Sequence, residues 1–285
     1  MRIMYAIEVN NLTKTFRDFS IRDLSLRIEK GCMTGLIGKN GAGKTTLLKS
    51  ILGLCSTDQG EIRILGKKMA ENANDVKEKV ALIMDNGYFY SGERLGRMKA
   101  YLSSFYKSWD DAIYQKYMRY FGLKEDKKIK ELSTGMRAKF NIVLALARHP
   151  ELLVLDEPSS GLDPVARSEV MEILCDAMSQ DDTTVLISTH ITSDLDRKAD
   201  YIVMLDNGAV ILDQEKDSLL ESHWLIRGGR EQLAEYRKQM IYCRETAFGF
   251  EGMILGRALP EAGIITEKPM IEDIFKAYAG RKEEA

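Results

Sequence analysis

Nine consecutive residues, Gly38-Lys39-Asn40-Gly41-Ala42-Gly43-Lys44-Thr45-Thr46, hold glycines, lysines and hydroxyls in the spacing G-x-x-x-x-G-K-[ST]. That combination suits phosphate. Gly38, Gly41 and Gly43 let the backbone wrap, with Asn40 between them, until successive N–H groups converge on phosphate oxygens. The start of the helix that follows adds positive potential. Lys44 would reach the β and γ phosphates, and Thr45, with Thr46 beside it, would offer a hydroxyl to Mg²⁺. An ordinary glycine-rich turn is the alternative. The apolar run before the loop and the helical pattern after it favour a nucleotide site.

A second group lies downstream. Leu152-Leu153-Val154-Leu155 runs into Asp156-Glu157, which puts two carboxylates at the end of a buried strand, where α/β proteins build their sites. Asp156 would hold Mg²⁺ and Glu157 would polarise or position an attacking water. Asp-Glu-Pro is also good turn chemistry, so the pair gains its meaning from the phosphate loop. Between the two groups, Leu132-Ser133-Thr134-Gly135-Met136 opens a helical pattern with Phe140, Val143, Leu144 and Ala147 on one face. Ser133 and Gly135 there make a second phosphate site, or Ser133 is a plain N-cap.

These groups need a scaffold of strands and helices. Short runs rich in Ile, Val and Leu at 33–37, 80–84, 152–155, 184–187 and 201–205 read as buried strands covered by helices, which argues for an α/β fold. In 45–52, Leu47, Leu48, Ile51 and Leu52 share a helical face, and Gly53 can end that helix. Alternating patterns at 6–9, 21–28 and 61–65 predict an antiparallel layer. From about 87 to 150 the chain turns to amphipathic stretches, 97–106 and 110–121 among them, as expected of an inserted helical subdomain. After Leu212 the rhythm weakens. A strand at 224–226, a helix over 231–240, a strand at 252–255 and a helix from Pro269 to 279 predict a small α+β appendage.

Composition sets bounds. The 285 residues are 45% apolar and 29% charged, enough for a sizeable core. A net charge of −2 lacks the basic excess of a general nucleic-acid binder, so no direct nucleic-acid partner is expected. Cys32, Cys55, Cys175 and Cys243 are widely spaced, which predicts reduced thiols and no metal cage. No stretch nears the roughly 18 apolar residues of a membrane span, and the N-terminus lacks a signal-peptide core.

The order of these motifs resembles the ATP-binding cassette family, the ABC transporter ATPases, over about residues 5–215. Residues 38–45 look like its Walker A, 152–156 its Walker B, Glu157 its catalytic glutamate and 132–136 its LSGGQ signature. Ser160-Gly161-Leu162-Asp163 resembles its D-loop, and His190 in Ile187-Ser188-Thr189-His190 its switch histidine. Phe16 sits where the family stacks an aromatic on adenine. Asp85 stands where the family usually has a glutamine that binds Mg²⁺, so it is a candidate metal ligand beside Thr45 and Asp156.

The resemblance implies a P-loop NTPase ABC fold, α/β with a mainly parallel core sheet, an antiparallel β layer, an inserted α-helical subdomain (87–150) and a C-terminal α+β appendage (216–285) after a cassette of residues 1–215. It also implies ATP and Mg²⁺, hydrolysis, a homodimer or heterodimer with another ABC ATPase, and a transmembrane permease on a separate chain. Ser133 of one subunit would then cap phosphates held by Lys44 of the other, with Asp163 near the same junction. The chain would be cytoplasmic, peripheral on the inner face of the cell membrane, and the ending 270–275 looks most like exporter ATPases. Of the aromatics Tyr88, Phe89, Tyr90, Tyr101, Phe105, Tyr106 and Trp109 in the insertion, most are expected to pack its own core and a few to dock the permease. A DNA-maintenance ATPase would need long heptads between the two Walker motifs, and a translation factor two cassettes. Neither is present in this sequence.

Overall fold

A computed structural model of the chain describes residues 5–84, 90–256 and 263–280; Asp85, Tyr88 and Phe89 lie outside the described residues. The chain opens with β1 (Tyr5–Thr15) and β2 (Ser20–Glu29), then passes through β3 (Met33–Ile37) into α1 (Lys44–Ile51). It returns along β4 (Gln59–Ile64) and β5 (Lys67–Lys68), and α2 (Met69–Lys79) leads to β6 (Val80–Met84). Three helices follow, α3 (Leu95–Ser103), α4 (Asp111–Tyr120) and α5 (Thr134–Leu146). After them come β7 (Leu152–Asp156), α6 (Pro164–Asp181), β8 (Thr184–Thr189), β9 (Tyr201–Asp206) and β10 (Ala209–Glu215).

Two sheets result. β2-β1-β4-β5 is antiparallel, with Val9 opposite both Leu26 and Ile62. The six-stranded sheet runs β10-β9-β3-β8-β7-β6, parallel except at the β9–β10 hairpin. Side chains of a strand alternate between faces, and the central strands divide accordingly. Leu153, Leu155, Val185, Ile187, Ile202 and Met204 enter the core shared with the helical insertion and α6, whereas Leu152, Val154, Leu186, Val203 and Leu205 enter the core shared with α1 and the antiparallel sheet. Both faces are covered, which is why these runs read as continuously apolar. Each such side chain contributes roughly 1.5–3 kcal/mol of burial free energy. Helix α1, buried through Leu47, Leu48 and Ile51, is thereby fixed between the sheets with its first residue at the end of β3.

The C-terminal part adds α7 (Lys216–Ser222), β11 (His223–Gly228), α8 (Leu233–Tyr236), β12 (Met240–Thr246), β13 (Gly249–Leu255), β14 (Ile265–Glu267) and α9 (Ile271–Gly280). Its strands pair antiparallel in the order β12-β13-β11-β14. β11, α8 and β12 make a split β-α-β unit with β13 inserted between the strands. One face of this sheet packs Ile226, Phe250 and Ile254 on Tyr236, and the other sends Leu225 and Met253 into the core of the six-stranded sheet and α6 along with Ile271 and Ile274 of α9.

Several expectations need correction. Helix α2 was not anticipated from the sequence. The helix expected at 231–240 is instead a succession of short turns, 3₁₀ at Arg230–Gln232, α at Leu233–Tyr236 and 3₁₀ at Arg237–Gln239. Only Tyr236 is buried along it, so it lacks the apolar stripe that holds a longer amphipathic helix in place. In the insertion, Trp109 packs against the core as expected, but Tyr90, Tyr101 and Phe105 are exposed. Tyr114, Tyr117 and Phe140 supply the buried rings there, while Tyr106 lies against the Arg148 guanidinium.

Candidate functional site

Strand β3 delivers the phosphate loop to the start of α1. Gly41 and Gly43 both have positive φ, +82° and +104°, a region that side-chain-bearing residues rarely adopt. Gly43 is constrained twice, because a Cβ there would come within 2.4 Å of the Phe19 ring. Phe19 thus presses the loop from outside while the first turn of α1 receives it from inside.

Lys44 is 6% exposed, and its Nζ donates to Gly38 O at 2.7 Å and lies 3.3 Å from Glu157 Oε1. Thr45 Oγ1 donates to Asp156 Oδ2 at 2.7 Å. The other oxygen of Asp156 accepts from Ser188 Oγ, at 2.5 Å, so this buried carboxylate is met by two hydroxyls from two elements. Parallel pairing of β7 with β8 sets that contact, since Asp156 and Ser188 are register partners.

Glu157 sits just past the end of β7 with φ +51°. For a glutamate this conformation costs about 1–2 kcal/mol, and its own N–H, donated to Ser188 O at 2.9 Å, helps to hold it. The turn aims the carboxylate at two partners. Oε1 faces Lys44, while Oε2 accepts the backbone N–H of His190 at 3.3 Å and lies 2.7 Å from His190 Nδ1. Lys44, Glu157 and His190 therefore form one chain of contacts across the carboxyl ends of β3, β7 and β8. The Lys44–Glu157 pair is largely shielded, so salt screens it less than a surface pair.

An open cleft of about 630 Å³ lies over Lys44 and Glu157, lined by Lys39, Asn40, Gly41, Gly43, Lys44, Thr45, Thr46 and Glu157, while His190 and Asp156 connect to it through their bonds to Glu157 and Thr45. A volume of this size falls in the usual range, roughly 300–1,000 Å³, for a small-molecule site. Phe16, 46% exposed, forms part of its wall. Phe19, Asp18 and Asn207 also line it, and sequence reasoning missed all three. Asn207 had a legible signal. Asn207-Gly208, with φ +46° and +76°, is the two-residue turn that joins β9 to β10, and Asn-Gly between apolar runs marks such a hairpin.

Ser133, Gly135 and Asp163 do not line this cleft. Ser133 is exposed and caps α5, its Oγ accepting the Met136 N–H at 3.2 Å. Asp163 caps α6 through the N–H groups of Val165 and Ala166, and these bonds, that from Ala166 foremost, hold its carboxyl below the ordinary carboxylate value. The two segments are neighbours. Thr134 Cγ2 is 3.6 Å, and Leu162 Cδ2 3.5 Å, from where a Cβ would stand on Gly161 and Gly135 respectively. The predicted residues thus form two groups in one chain, one that lines the cleft or, as with Gly38, Asp156 and His190, is bonded to residues that do, and one at the starts of α5 and α6.

Comparison with known proteins matches the ABC transporter family pattern to residues 21–160. The chain is 32% identical to the ABC transporter ATP-binding protein YtrB of Bacillus subtilis, over 76% of this chain and 74% of that one. It is 30% identical to the Nod factor export ATP-binding protein I of Bradyrhizobium diazoefficiens, over 98% of each chain. A solved ATP-binding subunit of an ABC transporter superposes with a TM-score of 0.69 at 29% identity, covering 75% of this chain and 91% of that one.

Proposed function

This chain belongs to the ABC transporter family, as one of its ATP-binding and ATP-hydrolysing subunits, and we propose that the cleft over Lys44 and Glu157, with His190 held on Glu157, is the hydrolysis site. The observation that carries this reading is the position of Glu157, its carboxylate 3.3 Å from Lys44 Nζ and 2.7 Å from His190 Nδ1. Lys44 and the loop N–H groups of Gly38, Asn40, Gly41 and Gly43 neutralise phosphate oxygens. Glu157 orients the water that attacks the γ phosphorus, the bond to the bridging oxygen breaks, and ADP and phosphate leave. His190, held on Glu157, keeps that carboxylate aimed and reaches for the γ phosphate. Phe16 supplies a face for the adenine.

A divalent cation suits the donors beside the loop. Thr45 Oγ1 and Asp156 Oδ2, 2.7 Å apart, are hard oxygen ligands of the kind Mg²⁺ takes. When bound, Mg²⁺ would stabilise negative charge on the phosphate oxygens. Asp85, which follows β6 and lies outside the described residues, is the third candidate ligand by its position in the chain.

Ser133, Gly135 and Asp163 complete the site from a second cassette. The exposure of Ser133 and Asp163 away from the cleft supports this, since a serine hydroxyl at a helix start is a phosphate donor that its own chain's cleft does not use. ATP would then bridge two subunits and shift them toward closure, and hydrolysis would release them. A permease on a separate chain would receive the motion and hold the subunit at the inner face of the cell membrane; no described helix is long and apolar enough to cross a membrane. Export is the favoured direction. Similarity to an export subunit extends over 98% of both chains, and so into the C-terminal part, residues 216–285, which we assign as an appendage to the ATP-binding domain of residues 1–215.

Phosphate release by the purified chain, with and without Mg²⁺, tests the site. Loss of turnover on chelation and in Glu157→Gln, with nucleotide binding retained in that variant, is expected. Turnover that survives removal of this carboxylate overturns the assignment.

A further inference from the structure

The stretch directly after His190 is held from three sides. Leu195 is buried against Gly35 of β3, where a Cβ would come within 2.4 Å of Leu195 Cδ1, so no larger residue fits between them. Asp194, with a side chain only 11% exposed, accepts from Ser159 Oγ at 2.8 Å, and its other oxygen lies 4.0 Å from Arg167 Nη1. Asp196 Oδ1 accepts the N–H of Ile271, the first residue of α9, at 3.1 Å. Ile271, Ile274 and Ala277 of α9 share a buried cluster with Leu195 and Ala199.

The sequence positions matter. Ser159 stands two residues beyond Glu157, and Asp194 four beyond His190. The Ser159–Asp194 hydrogen bond therefore joins the two loops that present the hydrolytic pair. Glu157 needs such support because its backbone is in the left-handed region, a conformation that persists only when its surroundings enforce it. The appendage, through α9, covers the outer side of the same stretch.

We infer that Asp194 is a positioning residue for hydrolysis and that the C-terminal appendage, by docking α9 on Asp196 and Leu195, sets where the His190 loop stands relative to Glu157. This rests on the roles proposed above for Glu157 and His190. The appendage thereby acts on the chemical step and not on nucleotide capture. Lys44 and the phosphate loop stand between β3 and α1, whereas α9 meets the chain at Asp196, so the expected effect falls on turnover and not on nucleotide affinity.

The test is steady-state ATP hydrolysis by the full chain, with nucleotide affinity measured by a fluorescent ATP analogue and folding by thermal unfolding. Asp194→Ala and Ser159→Ala should each lower kcat by roughly tenfold or more, because small misplacements of catalytic groups have effects of that order, with KM and analogue affinity within about twofold of wild type. The double variant should fall no further than either single one, as two partners of one bond are not additive. Asp194→Asn keeps an acceptor for Ser159 Oγ and should restore most of kcat. Asp196→Ala should lower kcat in the same direction through α9. Wild-type kcat in Asp194→Ala, additive losses in the double variant, or a fall in unfolding temperature with unchanged kcat would each overturn the inference. Glu157→Gln run alongside separates the two readings. If it abolishes turnover while Asp194→Ala does not, only this inference fails, and if it leaves turnover intact, the site assignment fails first.

Discussion

Asp156 and Ser188 face each other across the β7–β8 pair, and the Ser188 hydroxyl donates to Asp156 Oδ1 at 2.5 Å while the Ser188 carbonyl receives the N–H of Glu157. One residue of β8 thus braces both acids of the site. Ser188→Ala would leave a lone pair of a buried carboxylate unsatisfied, a loss of about 1–3 kcal/mol. Urea unfolding should show that loss, and ATP turnover should fall with it. Unchanged stability would mean that Asp156 does not depend on Ser188.

Gly43 cannot accept a side chain on two independent grounds, its φ of +104° and the Phe19 ring within 2.4 Å of any Cβ. Gly43→Ala is expected to destabilise by about 1 kcal/mol or more from the backbone conformation alone. It should also weaken nucleotide binding, because the loop N–H groups would move. Trimming the ring in a Gly43→Ala, Phe19→Ala double variant relieves the clash but not the backbone strain, so titration with a fluorescent ATP analogue should show partial recovery only.

The helical insertion is tied to the sheet by Arg148. Its Nη2 donates to Lys77 O at 3.0 Å and to Val80 O at 2.9 Å, and its guanidinium lies 3.4 Å from the centroid of Tyr106. Burial pushes its pKa down from the ordinary arginine value, yet two carbonyls and a ring face keep it in place. One nitrogen, Nη2, serves both carbonyls, so a lysine ammonium could meet them, but it has no flat face to lay on the Tyr106 ring. Arg148→Lys should therefore lower stability by about 1–3 kcal/mol, visible as a lower unfolding temperature.

Acid should loosen the start of α4 before the cores give way. Asp110 is held below the ordinary carboxylate value by the His149 side chain first, and by the N–H groups of Ile113 and Ala112 that it caps. A depressed folded-state pKa means stability that is present above the ordinary carboxylate value and is lost as pH falls through the folded value. Asp163 at α6 follows the same sign through Ala166 and Val165. Stability measured from neutral pH downward should decline in the acid range, and Asp110→Asn should decline less steeply there than wild type. An identical slope in the variant would show that Asp110 contributes nothing to the acid transition.

The cassette was legible because its determinants are local. A glycine loop between an apolar run and a helical face specifies β3, α1 and Lys44 within 20 residues, and Asp156-Glu157 marks the end of β7 by composition alone. What escaped was set by distance or by weak pattern. Helix α2 buries only Met69 and Val76, too few for an apolar stripe, and Asn72 interrupts its dihedrals. Ser188 looks like any strand serine until β7 lies beside β8. The appendage sheet depends on pairing His223–Gly228 with residues more than 20 positions away, so no local rule orders it as β12-β13-β11-β14. The exposure of Tyr101 and Phe105 was likewise invisible, since aromatic content tells nothing of which rings face inward.

The most direct measurement is ATP turnover per chain as the concentration of purified protein rises, with the mass of Glu157→Gln in ATP followed by light scattering. If Ser133 and Gly135 of one cassette complete the Lys44 cleft of another, turnover per chain climbs with concentration, and the ATP-bound variant has twice the 32.3 kDa mass of one chain. Turnover per chain that stays constant, together with an ATP-bound Glu157→Gln that remains a single chain, would contradict a site built from two subunits.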